Sequence, residues 1–218
     1  MGARSSAWRR PSRAGGKGPR GPSALLLAAG ASSRFPGTKQ IARIGGKTLV
    51  ERALDAIPPA EVRETVVVLG HEAASVSNVL RGREGVRVVV NPGYRSGMGG
   101  SISAGILALA KDTEGAMLLL ADQPFVTRSL LLRMLRTFEQ RGARGMVAAV
   151  QGDVVSPPAI FTKEYFDELA GLRGDQGARS VIQRHAGELL RVRVRSRRAL
   201  SDIDTWGDFK TARRLLEP

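Results

Sequence analysis

Five short, almost wholly apolar runs set the limits on this fold: residues 24–29, 65–69, 86–90, 116–121 and 146–150. Each is the length of a strand, and none alternates with polar residues as a half-exposed strand would. Segments of helical period separate them. Thr48 with Glu51 reads as a capping box, and Leu49, Ala53, Leu54 and Ile57 form an apolar face behind it. Further helices are expected over 72–81, about 101–111 and 128–140. Apolar strands alternating with helices require a parallel sheet covered on both faces. The expected class is therefore α/β: a single Rossmann-like, three-layer domain with a mostly parallel sheet over residues 23–218.

The remainder is less regular. Residues 40–46 read as a short extended piece ending in a Gly45-Gly46 turn. Residues 153–161, with Pro157-Pro158, read as an irregular edge segment, because proline cannot donate to a ladder. Thr162 is expected to cap a short helix ending near Gly171. Residues 189–194 alternate Arg with apolar residues and suit a half-exposed last strand, and Asp202-Ile-Asp204-Thr opens a final helix.

Charge and composition narrow the functional classes. The net charge is +14, of which residues 1–22 hold +6 with no acid. That segment is rich in Arg, Gly, Ser and Pro and is expected to be a disordered basic tail. It lacks the apolar core of a secretory signal, and no run approaches the ~20 residues that span a membrane. Cysteine is absent, which removes disulfides, thiolate metal sites and cysteine nucleophiles and fits a cytoplasmic protein. His71 and His185 are too few for a histidine-built metal centre. Aromatic residues make up only 5%, and no stacking motif accompanies the basic tail, which argues against nucleic acid as partner.

Chemistry-bearing residues gather where apolar runs stop. The run 24–29 ends at Gly30 in a loop of small residues carrying Arg34 and Lys39. Backbone N–H groups at such a sheet edge, with two cations, suit a polyphosphate, although an ordinary strand–loop–helix turn would look similar. The Walker A pattern fails because its first glycine would be Ile41. The dinucleotide fingerprint fails because its third glycine would be Ile102. Asp122 directly follows the run 116–121. A carboxylate there is either a magnesium ligand or a helix N-cap. Asp202 and Asp204 point the same way along an extended run, so one could be a second ligand and the other could cap the final helix with Thr205. Gly97 to Gly105 could bring backbone and Ser101 against a base, or simply make a tight connection. Arg179 offers a donor fork to a phosphate, or only a helix-terminal charge.

Residues 27–39, Leu-Ala-Ala-Gly-x-Ser-x-Arg-x(4)-Lys, resemble the signature of the nucleotidyltransferases that share one α/β domain of the glycosyltransferase-A-like type. Four later segments resemble the molybdenum cofactor members: Gly97-Met-Gly-Gly-Ser-Ile, Leu-Ala-Asp122-Gln-Pro, Pro157-Pro158 with Gly174 to Arg179, and Asp-Ile-Asp204-Thr. The resemblance implies a nucleotide site at Leu27, Ala28, Ala29, Gly30, Arg34, Lys39, Gly97, Ser101 and Asp122. It implies magnesium (or manganese) on Asp122 and Asp204, and an acceptor site at Pro158 and Arg179. The implied reaction moves CMP from CTP to the terminal phosphate of molybdopterin, with Arg34, Lys39 and Asp122 as the catalytic set. Ala29, where guanylyl members carry glycine, is the ground for CTP. A guanylyltransferase, a relative with a different acceptor, and a non-catalytic chaperone of a client molybdoenzyme are the alternatives.

Overall fold

The structure, a computed structural model, describes residues 21–32, 34–196 and 198–217. The expected tail, 1–22, lies outside these except for Gly21 and Pro22. Both are buried, and the Pro22 carbonyl accepts from Arg63 N at 3.2 Å. The ordered chain thus reaches at least two residues ahead of Ser23.

The first strand, β1 (Ser23–Ala28), is central. It pairs in parallel with β4 (Thr65–Leu69) and β6 (Gly115–Leu120), and β5 (Val86–Val90) extends the sheet beyond β4. Between β1 and β4, β2 (Arg43–Ile44) and β3 (Lys47–Thr48) form a small hairpin. Its Gly45-Gly46 turn has φ of 57° and 76°, which glycine adopts without strain. The full seven-stranded order is β5-β4-β1-β6-β8-β7-β9, with β7 at Met146–Gln151, β8 at Val154–Thr162 and β9 at Leu189–Arg193. Only β8 runs against its neighbours.

Alternation along the buried strands builds two cores. Ala24, Leu26 and Ala28 face one way, toward α1 (Leu49–Ala56), α2 (Ala73–Leu80) and α4 (Arg128–Gln140). Leu25 and Leu27 face the other, toward α3 (Met98–Ala108), α5 (Phe166–Ala170) and α6 (Arg179–Arg184). The expected three layers and mostly parallel sheet are present. The capping box is too: Thr48 Oγ1 accepts from Glu51 N while the Glu51 carboxylate accepts from Thr48 N. A third apolar cluster of Phe35, Ile44, Leu49, Ile203, Phe209 and Ala212 anchors the last helix, α7 (Trp206–Leu216). No helix among the described residues is long and apolar enough to cross a membrane.

Two local expectations need correction. The segment 153–161 is not at an edge, because β8 lies between β6 and β7. Ala148 pairs with Ala159 and Ala149 with Ser156, so Pro157 and Pro158 drop out of the ladder where their missing N–H groups forfeit no bond. Thr162 holds the N-cap position of the 3-10 turn Lys163–Tyr165 that runs into α5, but its side chain makes no cap bond, and its hydroxyl donates to Glu164 instead.

Helix α3 carries one wall of the site and rests directly on the sheet. A Cβ on Gly105 would lie 2.4 Å from Leu25 Cδ1 and 3.0 Å from Val68 Cγ2. Leu25 and Val68 are both fully buried and have nowhere to move. Gly105→Ala should therefore destabilise the fold by about 1–3 kcal/mol, read as a lower urea midpoint at unchanged slope. An unshifted midpoint would show that Leu25 yields freely.

Candidate functional site

The carboxyl edge of the sheet, above β4, β1 and β6, opens into a cavity of about 570 Å³. The loop after β1 forms its floor. Ala29 O accepts from His71 N at 3.1 Å, and Gly30 O accepts from Gln40 Nε2 at 2.7 Å. The chain returns to this loop through a single 3-10 turn, Lys39–Ile41, which buries Lys39 and Gln40 almost completely.

A buried lysine needs anionic or polar partners, since an uncompensated charge there would be costly. Lys39 Nζ donates to Asp122 Oδ2 at 2.8 Å and to the carbonyl of Ile203, and lies 3.7 Å from Asp204 Oδ1. Arg34 Nη2 reaches Asp204 Oδ2 at 3.2 Å from the solvent side. Two cations and two carboxylates thus interleave in one cluster, from segments more than 160 residues apart in sequence. Asp122 is set by backbone on both sides. Ala121 N donates to Leu27 O at 3.0 Å, and Asp122 O accepts from Ile203 N at 2.9 Å.

The two open roles for the aspartates are now decided in part. Asp122 does not cap α4, because Thr127 does, accepting from Leu130 N. Neither Asp202 nor Asp204 caps α7. Thr205 is the cap, and Asp208 completes the box by accepting from Thr205 N. Asp202 is an exposed residue whose carboxyl nonetheless leans inward, accepting from Gln123 Nε2 at 2.9 Å. Desolvation of that carboxyl, reinforced by the nearby Asp122 charge, pushes its pKa up to about 6.

On the opposite wall, Ser101 is buried at the start of α3 and its hydroxyl accepts from Asn91 Nδ2 at 3.1 Å. Gly97 has φ 107°, and a Cβ there would lie 2.2 Å from the Gly174 carbonyl. Gly99 N donates to Gly174 O at 2.9 Å, so the 97–105 and 174–179 segments meet through backbone.

Leu27, Ala28, Ala29, Gly30, Arg34, Lys39, Gly97, Ser101, Asp122 and Asp204 all line the one cavity. Pro158 and Arg179 do not. Pro158 is buried within the sheet at the register shift, and Arg179 opens α6 exposed to solvent. The geometry gives neither a place in this cavity as an acceptor contact. Gln40, Tyr94, Arg95, Met98 and Asp175 line it as well and were not singled out by sequence. Gln40 as the neighbour of Lys39, Met98 within 97–105 and Asp175 within 174–179 lie beside or inside stretches that the sequence marks.

The carboxylate pair suits a hard divalent cation. Asp122 Oδ1 is buried without a hydrogen-bond partner, so its lone pairs fit a role as a cation ligand. Among the described residues no cluster of three His, Cys, Asp or Glu could hold a metal by itself. Magnesium-type sites need no such cluster, because one or two carboxylates suffice when phosphates and water complete the shell.

Comparison with known proteins agrees with this geometry. The profile of the "MobA-like NTP transferase domain" matches residues 24–189. Nicotine blue oxidoreductase of Paenarthrobacter nicotinovorans is 31% identical over 169 residues, covering 73% of this chain and 80% of that protein. Purine catabolism protein PucB of Bacillus subtilis is 27% identical over 204 residues, covering 88% and 96%. The manganese complex of Rv0371c from Mycobacterium tuberculosis superposes with a TM-score of 0.69 at 27% identity, covering 90% of this chain and 98% of that one.

Proposed function

The chain belongs to the MobA-like NTP transferase family, and on that premise we propose that it moves CMP from CTP to the terminal phosphate of molybdopterin, releasing pyrophosphate. The observation that carries the reading is the Lys39–Asp122–Asp204–Arg34 cluster beside a polar-edged cavity at the sheet's carboxyl edge. Its distances suit charge neutralisation, and neither a Cys nor a Ser–His pair accompanies it.

In this reading the backbone after β1 and the Gly97–Ser101 wall hold the nucleotide. An acceptor phosphate oxygen attacks the α-phosphorus; the new P–O bond forms as the α–β bridge breaks and its electron pair leaves with pyrophosphate. Lys39 and Arg34 neutralise that departing charge, and the cavity walls fix the direction of approach. Asp122 and Asp204 would hold a divalent ion, magnesium or manganese, which supplies Lewis-acid stabilisation of phosphate charge. The cysteine-free chain suits work in a reducing cytoplasm, and a molybdoenzyme would be the downstream client.

Pyrophosphate release measured with each of four NTPs, with and without molybdopterin, tests this directly. The expected result is release with CTP that requires molybdopterin. Release with another NTP alone would reassign the donor. Consumption of a nicotinamide hydride donor with no pyrophosphate would point instead to redox chemistry, as the name of the 31%-identical relative suggests.

Donor choice has its own test. Ala29 is buried at the cavity floor beside the base wall. Ala29→Gly should widen that floor and admit GTP in a competition assay. Unchanged preference would move the discriminating contacts to residues 97–105.

A further inference from the structure

The seven-stranded sheet ends on β9 at one side and on β5 at the other, and the two edges are built differently. β9 reads Leu-Leu-Arg-Val-Arg, with Arg191 and Arg193 exposed along it. Charges so placed discourage another chain from adding to a sheet. β5 reads Val-Arg-Val-Val-Val, and each of its residues is at least partly exposed, Val90 at 55%. Its one charge is drawn away from the edge: Arg87 Nη2 donates to Glu64 Oε2 at 2.8 Å and to the Ala108 carbonyl. Helix α2, which packs with Val86 and Val88, has no charged side chain in its eight residues. A chain of net charge +14 thus keeps a neutral, valine-rich strip along this edge.

The backbone decides which groups face outward. Asn91 N donates to Leu69 O on β4 at 2.8 Å. In a parallel ladder the N–H and C=O of one residue point to the same side, and that side alternates along the strand. Val89 and Arg87 therefore face β4 with Asn91, while Val86, Val88 and Val90 turn their N–H and C=O away from it. Among the described residues no strand pairs with that outer side. The same strand of a second copy satisfies it about a two-fold axis at Val88. Val88 then meets its own copy, Val86 meets Val90, and each pair exchanges two N–H···O bonds. Arg87 falls opposite Val89, so like charges are not brought face to face.

We propose that two copies of this chain join through β5, antiparallel and centred on Val88, into one sheet continuous across the two-fold axis. The proposal does not depend on the transferase reading. The shared ladder ends one residue short of Asn91, whose side chain holds Ser101 of the cavity wall.

Sedimentation velocity over a dilution series of the full chain reads association. Hydrogen exchange resolved to single amides, at the highest and lowest concentrations, reads the surface. The expected result is a dimer in which the Val86, Val88 and Val90 amides slow on association, while those of Arg87 and Val89 are slow in monomer and dimer alike. Salt should strengthen this dimer by screening the repulsion between two +14 chains. Val90→Lys changes an exposed side chain and should weaken it on the order of tenfold, because a charge then replaces an apolar cross-strand contact at both ends of the shared ladder. Val88→Pro should abolish it while sparing β4, since the N–H it removes points outward. Slow Arg87 and Val89 amides in each variant show that the sheet is intact. A chain that stays monomeric at every concentration overturns the proposal. So does a dimer that forms without slowing the three outward amides, or one that survives both substitutions, since the contact then lies elsewhere. Slow outward amides in a monomer overturn it too, because the chain itself would then cover the edge.

Discussion

Asp122→Asn should lower turnover by roughly 10² or more while leaving the fold intact, on the scale of losing one major electrostatic stabiliser. Asparagine preserves shape and an oxygen. It removes the charge that Lys39 Nζ meets at 2.8 Å and that a divalent ion would need. Some stability should be lost, because Lys39 stays buried with only the Ile203 carbonyl and the farther Asp204 carboxylate, but the fold should persist, since the residue caps no helix and its backbone bond to Ile203 N remains. Excess magnesium or manganese should rescue turnover only partly. Asp204→Asn should show a smaller loss, since that carboxylate is more exposed and lies farther from Lys39. Steady-state rates at limiting magnesium decide the matter: near-normal turnover in Asp122→Asn would remove the metal assignment.

Lys39→Met should be the more damaging change, because it acts on stability and chemistry together. Methionine fills the volume but leaves Asp122 without its cation and Asp204 with Arg34 alone. Breaking a buried pair from one side costs roughly 3 kcal/mol at the low end, the end suited to a partly solvated aspartate. For a domain of this size that is a fall in Tm of about 6–12 °C. Turnover should drop by on the order of 10³, as the leaving pyrophosphate loses its nearest cation. A divalent ion that binds the freed carboxylates favours the folded state, so manganese should raise the Tm of the variant more than that of the parent. Equal manganese shifts in thermal melts would show that the carboxylates do not form one cation site.

The strand–helix alternation and the two loops at Gly30 and Asp122 were legible because they depend on local pattern: apolar runs of strand length, each stopped by Gly or Asp. The sheet position of β8 was not. Two adjacent prolines read as an edge, and only the partner strand shows that the register skips them between Ala148 and Ala149. The cap of α7 was legible only in part: Thr205 holds it as expected, but the aspartate that joins it is Asp208. Asp204 and Asp208 lie on either side of Thr205, and which one turns back depends on Asp204 being drawn to Arg34 and Lys39. The pairing of Lys39 with Ile203 spans 164 positions, and nothing local announces it. Motif resemblance gathered residues from distant segments that line one cavity, while Pro158 and Arg179, which it gives as acceptor contacts, lie outside that cavity.

The bonds from Ile203 to Asp122 and Lys39 have a consequence for timing. Strands β1, β4, β5 and β6 need nothing beyond residue 120 to pair with one another, although the glycine wall of α3 also leans on Gly174. The second carboxylate arrives with residues 203–204, after the last strand and outside the span that matches the family profile. A folding intermediate whose final helix has yet to dock on Phe35 should therefore have these strands paired but only one of the two carboxylates beside Lys39.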